Sequence, residues 1–94
     1  MSDLVSVQVK VHGFVQGVFF RDFTSRRARE LGVTGYVRNL PGGRTVAVQA
    51  EGDRKKLGAL IGYLKIGPPG ARIDNMDVSW SEYTGSYSRF GIRY

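Results

Sequence analysis

Ninety-four residues with no cysteine and a net charge of +6 suit one domain over 1–94, with no disulfides, thiolate nucleophiles or cysteine-held metals. The charge favours anionic partners in general, while apolar runs of only a few residues exclude a membrane-spanning helix. The start, MSDLVSVQVK, has no basic segment followed by an apolar stretch, so no secretory signal is expected and a cytoplasmic protein is.

Val5, Val7, Val9 and Val11 alternate with Ser6, Gln8 and Lys10, the period of a half-buried strand. HGFVQGVFF, residues 12–20, breaks that alternation and reads as a loop. RDFTSRRARELG follows as a helix, with Phe20, Phe23, Ala28 and Leu31 near helical spacing and Gly32 as its stop. TGYVRN and TVAVQAEG, joined by LPGGR, read as a β-hairpin. Asp53 is placed to cap a second helix through Leu57, Leu60, Ile61 and Leu64. Gly58 and Gly62 weaken that helix by about 1 kcal/mol each relative to alanine, and GPPGAR ends it. Met76, Val78 and Trp80 alternate as a strand, TGSYS turns, and Phe90, Ile92 and Tyr94 form a short final strand. Val33, Val46, Val48, Leu57, Ile61 and Trp80 read as core.

The order β-α-β-β-α-β with an extra C-terminal strand predicts a ferredoxin-like α+β sandwich, an antiparallel sheet with two helices on one face. Many alternating polar strand positions leave the other face open to solvent. A strand-helix-strand crossover returns the chain parallel to its start. The ends of the first and second strands therefore meet at one edge of the sheet, which brings the loop and Arg21 close to Arg38 and Asn39.

Two readings fit the loop. Gly-x-x-x-Gly is ordinary turn punctuation, and an arginine after two phenylalanines can be a surface residue. Alternatively, Gly13 and Gly17 open backbone conformations that turn successive N–H groups inward as an anion nest at a helix start. The helix dipole disfavours an arginine at that position by about 0.3–1 kcal/mol, a penalty that a bound oxyanion reverses. A nucleotide P-loop is excluded, because GFVQG lacks the terminal Gly-Lys-Ser/Thr.

Other candidates carry less. His12 is the only histidine and sits beside the loop, but strand alternation turns it to the solvent side. Asp74 and Asp77 read as solvated, and Asp22 as a helix-dipole acid. No His/Asp/Glu set has metal-ligand spacing. Arg26, Arg27 and Arg29, and Arg54, Lys55 and Lys56, read as solvated helix faces. An RNA-binding module of the same fold needs aromatic residues on the outward face of its central strands, and TVAVQAEG has none.

VHGFVQGVFFRDF resembles the acylphosphatase signature G-x-V-Q-G-V-x-F-R, and GYVRNLPGGRTVAVQAEG resembles the family's second signature, built on G-x-V-x-N. The likeness extends through IGPPGARIDNMDVSW to FGIRY. It implies a free-standing enzyme, expected as a monomer, that hydrolyses the carboxyl–phosphate anhydride bond of acyl phosphates to carboxylate and inorganic phosphate. The resemblance implies no metal, no cofactor, and neither nucleic acid nor membrane as partner. It assigns phosphate binding to the backbone of Gly13, Phe14, Val15, Gln16, Gly17, Val18, Phe19 and Phe20 together with Arg21. Asn39 matches the asparagine that holds the attacking water, the proton passes to a substrate phosphate oxygen, and inorganic phosphate is a competing ligand. Phe19 stands where many members have glycine and others a bulky residue.

Overall fold

The computed structural model describes residues 3–94. Its elements are β1 Leu4–Phe14, α1 Phe20–Leu31, β2 Thr34–Asn39, β3 Thr45–Asp53, α2 Arg54–Ile66, β4 Arg72–Glu82 and β5 Phe90–Arg93. The five strands form one sheet in the order β4-β1-β3-β2-β5, and the architecture is the ferredoxin-like α+β fold with an added strand. Strands β1 to β4 pair antiparallel, whereas β5 lies parallel to β2, with Phe90 beside Gly35 and Arg93 beside Arg38. The sheet is therefore mixed, which corrects the expectation of an antiparallel one. The reason is topological: β5 joins the far edge after a long connection rather than by a hairpin.

Alternation decides the two faces. Val7, Val9 and Val11 pair with Ala50, Val48 and Val46 of β3, and all six are buried. Val37, Phe90, Phe20, Ala28, Leu57, Leu60 and Leu64 complete the same core. Helix α1 packs over β2 and β5, and α2 mainly over β3 and β1. The period-2 and 3.6-residue patterns thus meet in one layer, and Gly58 and Gly62 sit exposed within an unbroken α2.

Trp80 departs from the core reading. Register places Met76, Val78 and Trp80 beside Val11, Val9 and Val7, on the helix side as the alternation requires. Helix α2 barely reaches β4, however, so this edge strand keeps Val78 and Trp80 about two-fifths exposed. Arg54 covers part of the indole, its guanidinium 4.9 Å from the ring centroid.

TGSYS, 84–88, expected as a turn, lies within a connection over 83–89 that has a longer task. Because β4 and β5 occupy opposite edges, this connection must cross the whole width of the sheet. Glu51, buried at 1% exposure, anchors it. Its carboxylate accepts from the Thr84 hydroxyl (2.7 Å), the Thr84 amide (3.0 Å) and the Gly85 amide (3.0 Å). Burial pushes the Glu51 carboxyl up, but those donors and Ser6 outweigh it and hold the group below its usual range. Farther along, Tyr87 packs against Tyr36 with ring centroids 5.9 Å apart.

Candidate active site

Strand β1 runs farther than the alternation suggested. A bulge between His12 and Gly13 shifts its register, after which Gly13 and Phe14 pair with Ile73 and Arg72 of β4. The Gly13 amide donates to the Arg44 carbonyl at 2.9 Å. A Cβ at Gly13 would lie 2.1 Å from the Arg72 carbonyl oxygen, so this glycine serves the close approach of two strands rather than a nest. Gly13 and Phe14 thus belong to β1, and the connection to α1 is the shorter segment 15–19.

That shorter loop is held against the hairpin by one side chain. Gln16 Nε2 donates to the carbonyls of Leu40 (2.9 Å) and Thr45 (3.0 Å), and the Leu40 amide closes the hairpin onto the Thr45 carbonyl at 2.9 Å. The loop then turns through two left-handed residues, Gly17 with φ 77° and Phe19 with φ 61° and ψ 29°. Phe19 is the only non-glycine with positive φ among the described residues, a conformation that costs a bulky residue about 1–3 kcal/mol. It is also the N-cap of α1, with no side-chain cap. Among the described residues, no loop hydrogen bond is donated by a backbone N–H of residues 15–19. The segment leads directly into the N-terminus of α1 at Phe20, the positive end of the helix dipole.

Asn39 arrives from the hairpin side. It pairs with buried Val46, so its side chain shares the helix face, while Arg38 points to the open face. Arg21, half-buried in the first turn of α1, makes a long hydrogen bond of 3.4 Å to the Arg93 carbonyl. Its guanidinium stacks over Tyr94 at 4.6 Å from the ring centroid. Val15, Gly17, Phe19, Phe20, Arg21, Asp22, Asn39, Ile92 and Tyr94 together line a cavity of about 420 Å³. The crossover therefore brings Arg21 and Asn39 into one concave site, as the strand order predicted.

The residues set aside lie elsewhere or are otherwise engaged. His12 bonds Thr45 Oγ1 at 3.0 Å and Asp77 Oδ2 at 2.9 Å, away from the cavity lining. Asp74 is paired with Arg44 (3.0 Å) and Arg72 (3.4 Å). Asp22 is at the cavity wall but pairs with Arg26 at 3.2 Å. Among the described residues no group of three or more His, Cys, Asp or Glu could hold a metal ion.

Sequence reasoning did not find Tyr94 or the Arg93 carbonyl as parts of this site, because they read as the end of a strand. Strand β5 stops at Arg93, which frees Tyr94 to lie under Arg21. The bridging role of the Gln16 side chain was equally hidden. Its partners are backbone carbonyls, 24 and 29 residues away, which carry no residue-type signature.

The acylphosphatase family model matches residues 7–92. An acylphosphatase of Anaeromyxobacter dehalogenans is 45% identical over 94 residues, covering all of both chains. Among solved structures, the Bacillus subtilis acylphosphatase superposes with a TM-score of 0.91 at 32% identity, over 96% of this chain and 99% of that one. An acylphosphatase from Coxiella burnetii gives 0.90 at 36% identity, over 97% and 94%.

Proposed function

The chain belongs to the acylphosphatase family, and from that premise we propose how its site hydrolyses acyl phosphates. The backbone N–H groups of residues 15–20 and the Arg21 guanidinium receive the phosphoryl oxygens. Asn39 orients the attacking water along the opposite side of the phosphorus. Such a division suits phosphoryl transfer, which asks a protein for positioning and for stabilisation of charge on the equatorial oxygens. The observation that carries the reading is that Gly17, Phe19, Arg21 and Asn39 line one cavity, beside a loop whose residues 15–19 donate no backbone hydrogen bond among the described residues.

Asn39 cannot take a proton near neutral pH; its amide can only orient water through the carbonyl oxygen or the NH₂. Asp22 is held by Arg26, and His12 lies on the open face of the sheet. The proton therefore passes to a phosphate oxygen of the substrate itself. A carboxylate is a good leaving group, so expulsion of the acyl product needs no strong general acid.

Hydrolysis of benzoyl phosphate in the presence of a chelator tests this, with Asn39→Ala and Arg21→Gln as controls. Asn39→Ala is expected to lower kcat while leaving the inhibition constant of inorganic phosphate nearly unchanged. Arg21→Gln is expected to weaken phosphate inhibition as well. Full loss of wild-type activity in chelator, or phosphate inhibition unchanged in Arg21→Gln, would overturn the assignment.

A further inference from the structure

The same cavity has an apolar side that phosphate binding does not use. Phe19, Phe20, Ile92 and Tyr94 contribute to its lining, and Phe19 and Tyr94 are 83% and 97% exposed as residues, with Arg21 over one face of the Tyr94 ring. An aromatic ring left in water beside a polar site forgoes its burial free energy until something apolar covers it. Single exposed apolar residues are common, but Phe19 is not simply placed on the surface. Its backbone is in the left-handed region, which bulky side chains rarely adopt and which functional sites retain. The residue that would most readily avoid this conformation instead holds an exposed ring two positions before Arg21.

We propose that the Phe19 ring, together with Tyr94, forms an acyl-recognising wall that favours acyl phosphates with an aromatic or extended apolar acyl group. This rests on the acyl-phosphate reading above. With the phosphoryl group against the loop amides and Arg21, the acyl group is directed along the remaining lining, which is largely apolar. An aromatic acyl group would cover the two rings, whereas an acetyl group is too small to do so. Phe19 is here a specificity residue, and its ring takes no part in the chemistry. Apolar pockets discriminate by about 10–200-fold for each added methylene. A wall this open to solvent belongs near the lower bound.

The test compares kcat/KM for benzoyl phosphate with that for acetyl phosphate in the wild type, Phe19→Asn, Phe19→Gly and Phe19→Tyr. Asparagine and glycine suit left-handed backbone, so the loop keeps its path while the ring is lost, and tyrosine keeps the ring. The benzoyl-to-acetyl ratio is expected to fall about tenfold in the asparagine and glycine variants and to stay within about twofold in Phe19→Tyr. Inhibition constants of phenacylphosphonate and acetonylphosphonate, which resist hydrolysis, should move in the same ratio. A ratio unmoved in both ring-less variants, or an equal loss on both substrates, overturns the wall and leaves the function standing. A wild type that hydrolyses neither acyl phosphate overturns both.

Discussion

Among the described residues, the start of α2 and the 83–89 connection each have backbone N–H groups gathered by one of the chain's own carboxylates, and the start of α1 does not. At the start of α2, Asp53 Oδ1 accepts from the amides of Lys55 (2.9 Å) and Lys56 (3.4 Å). Beneath the sheet, Glu51 accepts from the Thr84 and Gly85 amides. At the start of α1 the cap residue is Phe19, which has no side-chain oxygen to offer, and the first turn carries Arg21 beside Asp22. The difference lies in the cap residue: Asp53 closes the start of α2 from within the chain, whereas the start of α1 has no side-chain cap and, on the function proposed above, takes its oxyanion from the substrate.

The largest effect should fall on the open end. Arg21→Gln is expected to lower kcat/KM for an acyl phosphate by about 10²–10³, the usual loss when one donor to a transition-state oxyanion is removed. Asp53→Ala, at the filled helix start, should leave that quantity unchanged. Equal losses in steady-state kinetics of the two variants would erase the distinction.

Next is the anchored strap. Glu51→Gln is expected to cost about 2 kcal/mol in urea unfolding at pH 7, because charge-assisted hydrogen bonds to buried groups contribute about 1.5–3 kcal/mol. Its pH dependence follows from the lowered carboxyl. A folded value below the unfolded one gives stability that is fully present above the unfolded carboxylate range. That stability is lost as pH falls through the folded value. The acid limb of the stability curve should therefore be shallower in Glu51→Gln than in the wild type, and parallel limbs would discount the anchor.

Inorganic phosphate sharpens the comparison from the ligand side. At ten times its dissociation constant it should stabilise the wild type by about 1.4 kcal/mol, visible as a raised Tm. The Asp53→Ala protein should respond equally, and Arg21→Gln much less. The smallest change is the loss of the filled cap itself: Asp53→Ala should lower stability by about 1 kcal/mol, read by urea denaturation. A Tm unresponsive to phosphate in the wild type would remove the α1 start from consideration as the anion site.

The amino-acid sequence by itself determined the elements, their order and the presence of Arg21 and Asn39 in one cavity. Alternating valines, helical spacing ending at Gly32 and the Asp53 cap are local signals. A crossover between parallel strands obliges Arg21 and Asn39 to share one edge. Long-range geometry decided the rest. Only the β1–β4 register shows that Gly13 serves a close strand contact, and only the placement of α2 leaves Trp80 at an uncovered edge. The parallel docking of β5 delivers Tyr94 to Arg21 from 73 positions away in the chain, and Glu51 fixes the strap that leads there. None of these depends on a neighbour in sequence. They arise where distant backbone segments meet, and a residue's type alone does not say which carbonyl, ring or amide it will meet there.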